Sequence, residues 1–263
     1  MTMVAIMFDR NQIASNPMTT HINTDADLDA GIAALTAAAP RWSAVFARTG
    51  RPPLRRREGG FAGLAQIIVS QQVSVASAAA IHGRLVAIAD PFDHTAVLRA
   101  RKDRLLRVGL SNAKIKTLKA IAKAIDKREI DLSALAEMPA DAAHATLVAL
   151  HGIGPWTADV YLLACIGHAD AWPAGDIALQ EAARLAFALP QRPTTKEMGP
   201  LADRWRPVRA VAARLLWAFY RVAKQREGLL IQPATPIKMK EPAQPSRRAK
   251  PAVAQKKATT KRR

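Results

Sequence analysis

A glycine-rich turn, LHGIGP, and one aspartate beyond it have the residue types that best suit chemistry on a phosphate-bearing substrate. Gly152 and Gly154 flank Ile153, and Pro155 fits the first position of the helix that follows. Free backbone N–H groups in the first turn of such a helix, which includes Thr157, can bind a phosphate. For two glycines alone, an ordinary tight turn between packed helices is the alternative interpretation.

Asp176 is the acidic residue beyond this helix, in the sequence PAGDIALQ. An aspartate at that place can cap the next helix through its side-chain oxygen. Leu179 stands where a capping box would need Glu or Gln, so a reciprocal cap is not expected. The same carboxylate could stabilise a developing positive charge or accept a proton from an attacking water. The two roles are compatible, and the local sequence leaves both open.

The charge of the chain restricts its class of partner. The 263 residues carry a net charge of +18, which indicates a polyanion, either nucleic acid or an anionic membrane. No apolar run reaches 18 residues, so a membrane-spanning helix is not expected. Residues 231–263 hold ten Lys or Arg and one Glu, a net charge of +9, which leaves +9 on the rest. We predict that this tail is disordered, and it could be a nucleic-acid tether or a solubilising extension.

The two ends of the chain differ from its middle. Residues 1–24 show no helical period and are predicted to be loosely ordered, and they lack the layout of a signal peptide. Residues 25–230 are rich in Ala and in apolar residues at helical spacing, which predicts one all-α domain. The single cysteine, Cys165, lies in an apolar run and is predicted to be a buried small hydrophobe.

Helical periods and breakers divide this domain. One amphipathic helix has Lys114, Lys116, Lys119 and Lys123 mostly away from its apolar face, where solvation is the simplest interpretation. A break is expected near Gln72–Ser74, with Ser74 as a helix cap, and Pro52 and Pro53 exclude a helix from the basic loop before it. The predicted helices cover 25–39, 40–47, 61–86 with that break, 95–100, 103–107, 111–125, 132–137, 140–150, 155–167, 177–188 and 207–225.

Residues 150–158, followed by PAGDIALQ, resemble the helix-hairpin-helix (HhH-GPD) DNA glycosylase superfamily, above all its DNA-3-methyladenine glycosylase II type. Three further blocks resemble that family in the same order: FAGLAQIIVSQQVSVASAAAIHGRLV, GLSNAKIKTLKAIA and RWRPVRAVAARLLW. The likeness extends over about residues 25–225 and leaves no room for the amino-terminal sheet domain of some members. It implies an all-α, two-lobed fold with the hairpin at about 140–167 and a DNA cleft between the lobes.

The resemblance implies that Asp176 is the catalytic carboxylate of a monofunctional DNA glycosylase. Such an enzyme hydrolyses the N-glycosidic bond of alkylated bases, of the 3-methyladenine and 7-methylguanine type, in base excision repair. Trp156 stands where lyase-active relatives carry a Schiff-base lysine, which implies hydrolysis without strand cleavage. The alternatives are a non-catalytic DNA-binding or damage-sensing module, which Asp176 disfavours, and a bifunctional lyase, which Trp156 disfavours.

A base inside a duplex must be flipped out before it can react, and something fills the gap. The family's wedge position matches Gln72, where the best-known branch has leucine, and Gln71 is a second candidate. The base pocket should present aromatic faces, although core packing is the alternative for each candidate. These candidates are Trp156, Tyr161, Trp172, Trp205 and Trp217. Two family aromatic positions hold Val160 and Val208, which implies a different pocket wall.

The resemblance also implies contacts at the hairpin itself, where Gly152, Ile153, Gly154 and Thr157 are expected to lie against the DNA backbone. Some members bind a monovalent cation through hairpin carbonyls, which match Val148, Leu150 and Gly152, so Na⁺ or K⁺ could bind there although no cofactor is required. The expected partner is double-stranded DNA with damaged bases, with no membrane and no protein partner implied, and a monomer suffices. The expected location is cytoplasmic, of bacterial type, with nucleoid association through DNA.

Overall fold

The computed structural model describes residues 20–228, and this part of the chain is built from twelve α-helices. They are α1 Asp25–Ala38, α2 Pro40–Thr49, α3 Gly60–Ser70, α4 Val75–Val86, α5 His94–Arg99, α6 Lys102–Val108, α7 Asn112–Asp126, α8 Ala140–Val148, α9 Pro155–Tyr161, α10 Ile177–Ala186, α11 Thr195–Ala202 and α12 Arg209–Gly228. The predicted all-α class is confirmed. The predictions for residues 1–19 and for the basic tail lie outside the described residues.

Polar caps and one glycine fix where several helices begin and end. The Thr24 hydroxyl accepts from the backbone N–H of Asp27, whose carboxylate accepts in return from Thr24, and this capping box starts α1. Ser74 caps α4 as predicted, and Ser111 caps α7. Gly109 ends α6 with a φ of +105°, a conformation that favours glycine.

The helices form two packed groups. The first group contains α1, α2, α10, α11 and α12, and α12 packs against α1, α2 and α10. The second group contains α3 to α9, in which α3 packs against α4, α7 and α9. The beginning and end of the described chain therefore share one lobe, and the residues between them form the other. This arrangement is the two-lobed fold that the sequence predicts.

Aromatic side chains fill the core of the first group. The Trp205 ring lies 5.1 Å from Trp42, 5.3 Å from Trp172 and 5.4 Å from Phe187, measured between ring centroids. Such edge-to-face and offset contacts add to the apolar area that these side chains bury. This cluster fixes the segment before α10 against the start of α12.

Three segments differ from the sequence prediction. Residues 20–24 are packed rather than loosely ordered, because Ile22 is buried and its N–H donates to the carbonyl of Gly167 at 2.7 Å. The predicted helix at 132–137 is a short 3₁₀ turn, Ala134–Ala136. Helix α11 was not predicted, although its capping box between Thr194 and Glu197 is visible in the sequence.

Among the described helices, none combines the length and apolar character that crossing a membrane requires.

Candidate active site

A cavity of about 270 Å³ opens between the two helical groups and contains Asp176 in its wall. The basic loop before α3 forms one side, α3 and α9 form another, and α12 closes the cavity opposite them. The lining residues are Pro52, Pro53, Leu54, Arg55, Arg57, Ile67, Ser70, Trp156, Val160, Leu163, Ala164, Asp176, Arg214, Trp217 and Arg221. A larger cavity of about 650 Å³ is lined by other residues, around Phe61, Phe92 and Ile130. Asp176 and the indole rings of Trp156 and Trp217 meet in the smaller cavity.

Three N–H groups hold the Asp176 carboxylate. Oδ1 accepts from the backbone N–H of Leu179 at 2.9 Å, which makes Asp176 the cap of α10. The indole of Trp217 donates to the same oxygen at 3.1 Å, and the indole of Trp156 donates to Oδ2 at 2.9 Å. All three partners are donors, which suits an ionised carboxylate because it only accepts. The capping role is therefore present, and the side chain is also fixed against two rings of the cavity wall.

Of the aromatic residues that the sequence suggests for a base pocket, Trp156 and Trp217 line the cavity. Tyr161 does not, because it is fully buried in α9 with its hydroxyl directed to the carbonyl of Gly60, and burial raises the pKa of that hydroxyl. Trp172 and Trp205 are likewise core residues, and the Trp172 indole donates to the carbonyl of Met198 at 3.1 Å. The pocket assignment is wrong for these three.

The two valines that replace family aromatics have different surroundings. Val160 lines the cavity with a small side chain. Val208 is fully buried beside the Trp205 cluster and is not among the cavity residues. Trp217, about two and a half helical turns further on in α12, supplies the second indole of the cavity. The prediction for Cys165 is confirmed, since it is a buried free thiol whose pKa burial raises to about 11.

The hairpin between α8 and α9 exposes its glycines and buries its apolar residue. Gly152 and Gly154 are exposed, whereas the Ile153 side chain is 4% exposed and anchors the turn. Gly152 has a φ of +82°, and a Cβ at that position would lie 2.1 Å from the hydroxyl oxygen of Thr117 in α7. A Cβ at Gly154 would meet nothing within 4 Å. The turn is thus packed closely on one side and open on the other.

Thr157 does not offer its side chain to a ligand. It is 3% exposed, and its hydroxyl accepts from the amide of Gln71 at 2.8 Å. The Thr157 hydroxyl ties the hairpin to the turn after α3. A DNA contact at this position would have to use the backbone.

The turn between α3 and α4 projects Gln72 outward. Gln72 is exposed and has a φ of +57°, which is unusual for a residue with a side chain. Val75 beside it is 89% exposed. Lys114 donates to the carbonyls of Val69 and Gln71 at 2.8 and 2.7 Å and thereby fixes the base of this turn. The interpretation of the α7 lysines as a purely solvated face is thus wrong for Lys114, because its long stem reaches these carbonyls.

A network of ion pairs, of which Asp170–Arg209 is buried, joins the hairpin helix α8 to α12 and the residues just before it. Asp170 accepts from Arg209 at 2.7 and 3.0 Å and also pairs with Arg206. Both arginines also contact Asp141 in the first turn of α8. A buried charge left unpaired is strongly destabilising, so this network holds three separate segments in one arrangement. It keeps the segment before Asp176 in place.

A π-helical turn, Leu162–Ile166, continues α9 and presents its carbonyls to arginines. Arg56 donates to the carbonyls of Ala164 and Ile166, each at 3.0 Å. Arg214 donates to the carbonyl of Leu163 at 3.2 Å. These contacts bring the basic loop and α12 together at the wall of the cavity. Nothing in the sequence distinguishes Arg214 from an ordinary helical arginine.

A family model for the HhH-GPD superfamily of base excision DNA repair proteins matches residues 65–207. The chain belongs to this superfamily. The match includes the turn at Gln72, the hairpin and Asp176. The HhH-GPD assignment from the sequence is confirmed.

Individual HhH-GPD relatives resemble the chain over different lengths. The probable bifunctional transcriptional activator/DNA repair enzyme AlkA of Mycobacterium tuberculosis is 30% identical over 207 residues, which are 74% of this chain and 40% of that protein. The chain therefore spans less than half of that relative. A DNA-3-methyladenine glycosidase structure from Bacillus halodurans has a TM-score of 0.68 and 24% identity, over 81% of this chain and all of that one. The Schizosaccharomyces pombe 3-methyladenine DNA glycosylase Mag1, in complex with abasic DNA, has a TM-score of 0.61 and 23% identity, over 72% and 95%.

Proposed function

We propose that this protein is a monofunctional DNA glycosylase that removes alkylated bases from duplex DNA in base excision repair. The observation that carries the proposal is the Asp176 carboxylate, which two indole N–H groups and a helix start hold in the wall of a base-sized cavity. The names of the relatives, which include DNA repair and 3-methyladenine glycosylase enzymes, support the same activity.

In the proposed reaction, the bond between the sugar C1′ and the base breaks, and its electron pair leaves with the base. The sugar then develops oxocarbenium character, which a fixed carboxylate stabilises electrostatically. Water adds to C1′, and Asp176 orients it and accepts its proton. Trp156 stands at the position of the lyase lysine, and the described cavity wall contains no lysine that could form a Schiff base. Simple hydrolysis is therefore the chemistry that the site supports best.

The proposed binding of DNA uses contacts to its phosphate backbone and the positive charge of the protein rather than hydrogen bonds to base edges. The open side of Gly154 and the start of α9 would receive a phosphate, and Gly152 keeps the turn packed on α7. Gln72 would enter the duplex where the flipped base has left, because it projects from a turn whose base Lys114 fixes. The net positive charge of the chain favours the same partner.

A monovalent cation at the hairpin remains part of this proposal. The carbonyl of Leu150 accepts from the N–H of Ile153 at 3.1 Å, which leaves one lone pair free for a cation. The carbonyls of Val148, Leu150 and Gly152 would hold Na⁺ or K⁺, and the cation would supply positive charge next to a DNA phosphate.

The decisive experiment measures base release from an alkylated duplex by the wild type and by Asp176→Asn. Asparagine remains a good helix cap, so the variant should fold, with a modestly lower melting temperature because its amide N–H group cannot accept from an indole. We expect its rate of base release to fall about 100-fold or more, because the negative charge is lost. Its affinity for the same duplex, measured in parallel, should stay close to that of the wild type.

Equal base release by both proteins would refute the catalytic role of Asp176. Duplex binding by the wild type without any base release would indicate the non-catalytic module instead. Trapping of a covalent DNA adduct with borohydride would indicate a bifunctional lyase.

A further inference from the structure

Three exposed arginines line the cavity that contains Asp176. Arg55 and Arg57 belong to the basic loop before α3, and Arg221 lies on α12 across the cavity. Within residues 20–228, none of these three side chains forms an ion pair or a hydrogen bond. Because the side chains are exposed, a ligand can reach their guanidinium groups.

Arg56, between the two loop arginines, anchors the loop to the protein. Its guanidinium donates to the carbonyls of Ala164 and Ile166, each at 3.0 Å, and the backbone N–H of Arg57 donates to the carbonyl of Ala164 at 2.9 Å. Arg55 has a φ of +49°, a conformation that a residue with a side chain rarely adopts. Strain of this kind persists only where the surroundings hold the backbone, and it is concentrated at functional sites. The loop is therefore a fixed support for two unpaired arginines.

Arg221 shares one face of α12 with a residue of the proposed active site. It lies four positions after Trp217, which places both side chains on the same side of the helix. Trp217 donates to Asp176 at 3.1 Å, so Arg221 is one helical turn from the residue that holds the carboxylate. With the buried Arg214, the described residues that line the cavity include four arginines and one acid, a formal charge of +3. Such a wall favours an anionic ligand group.

We propose that Arg55, Arg57 and Arg221 bind the phosphate groups on either side of the nucleotide that is flipped into the cavity. This inference rests on the proposed glycosylase function and adds a second phosphate site to the one at the hairpin. The planar guanidinium of arginine donates two parallel N–H groups, which match the oxygens of a phosphate. The two phosphodiesters of a flipped nucleotide stay attached to the sugar whose base enters, so they come to the mouth of the cavity.

Bound phosphates also make the cavity compatible with alkylated bases. 3-Methyladenine and 7-methylguanine carry a positive charge in DNA, which unpaired arginines would repel. Two phosphodiesters bring two negative charges and so offset most of the formal charge of +3 on the cavity wall. The arginines can then hold the damaged strand without opposing the entry of a cationic base.

The test is a double-mutant cycle between protein and DNA, measured as binding affinity by fluorescence anisotropy. The duplex contains a stable abasic analogue, flanked by either native phosphodiesters or neutral methylphosphonates. We expect the neutral linkages to weaken binding to the wild type about 10-fold, because charge-assisted hydrogen bonds are lost. In the double variant Arg55→Gln with Arg57→Gln, the native duplex should bind about 10-fold more weakly, and neutral linkages should cost no more than about 3-fold further. Arg221→Gln should likewise reduce the effect of the neutral linkages.

The matched control is Arg128→Gln, which removes an exposed arginine from the wall of the larger cavity. This control should retain the full effect of the neutral linkages. If the double variant also retained it, the arginines would act only through the net charge of the protein, and the proposal would be overturned. A wild type that binds both duplexes equally would overturn it too. Because the abasic analogue requires no catalysis, the absence of base release from alkylated duplexes would count against the proposed function alone.

Discussion

At the scale of single residues, one side chain both caps a helix and faces the cavity. The capping bond from Leu179 fixes the backbone of Asp176, and the two indoles fix the plane of its carboxylate. A carboxylate held in this way needs little reorganisation when positive charge develops nearby. The two indole N–H groups thus hold the carboxylate of Asp176 in a fixed orientation.

The indole bonds can be removed without removing the rings. Trp217→Phe keeps an aromatic face in the cavity but loses the N–H that donates to Asp176. We expect base release to slow about 10-fold, which corresponds to about 1.4 kcal/mol of lost transition-state stabilisation. Single-turnover kinetics with saturating protein measures this effect.

The matched control is Trp172→Phe, which makes the same chemical change in the core. It loses the bond to the carbonyl of Met198, so it should lower the melting temperature. Its rate of base release at a temperature where it is folded should match the wild type. A loss of rate equal to that of Trp217→Phe would mean that indole removal acts through stability.

At the scale of elements, the two hairpin glycines have different roles. Gly152 allows the turn to pack closely on α7, and Gly154 leaves the other side of the turn open. Gly152→Ala places a methyl group against Thr117 in a backbone conformation that alanine disfavours. We expect it to lower the free energy of unfolding by about 1–3 kcal/mol, measured by denaturant titration. Gly154→Ala has open space and should leave stability unchanged or slightly higher.

Gly154→Ala should nevertheless weaken DNA binding, because its methyl group would stand where the backbone phosphate is proposed to approach. Fluorescence anisotropy with a labelled duplex measures this affinity. Unchanged affinity would show that DNA does not come close to this side of the turn.

A hydrogen-bonded pair of one histidine and one aspartate links α8 to α9 and makes the stability of the fold depend on pH. His144 lies 2.8 Å from Asp159 between Nδ1 and Oδ1, and this hydrogen bond raises the pKa of His144 above its usual 6.5. The stabilisation is therefore complete below the ordinary histidine pKa and disappears as pH rises through the raised value. His144→Gln should lower the melting temperature by about 2–4 °C near pH 6 and by progressively less toward pH 9.

The exposed histidine of the turn, His151, provides the comparison. His151→Gln should leave the melting temperature almost unchanged across the same pH series. A difference between wild type and His144→Gln that stays constant from pH 6 to 9 would contradict the protonation argument.

Much of the element order could be predicted from the sequence, whereas which tryptophans lie in the core could not. The caps at Ser74 and Ser111 are local signals, because a hydroxyl and an N–H three residues later suffice. Helix α11 has a capping box, but Pro190 and Pro193 before it and Pro200 within it are residues typical of a loop, so the local signals conflict. Trp205 and Trp217 both lie in or near apolar helical segments, and only tertiary packing decides that one is core and the other cavity wall. For the same reason, the burial of Arg214 has no sequence signal.

At the scale of the whole molecule, positive charge is spread over the chain. The tail 231–263 and the rest of the chain each contribute +9. We expect a variant without the tail to lose duplex affinity mainly at low salt and therefore to show a shallower dependence of log Kd on log salt. Each lost phosphate contact should reduce that slope by about 0.9. A titration series from low to high salt measures it, and an unchanged slope would assign the tail a solubilising role.

The division of the chain between its two helical groups has a consequence for synthesis. A ribosome makes α12 after the hairpin and after Asp176, yet α12 supplies Arg214 and Trp217 and forms the packing surface for α1 and α2. Segments fold in the order in which they emerge, but α1 and α2 must wait for a partner that emerges almost last. A growing chain could therefore complete its hairpin while its cavity still lacks one wall. The proposed activity would begin only when nearly the whole described chain has left the ribosome.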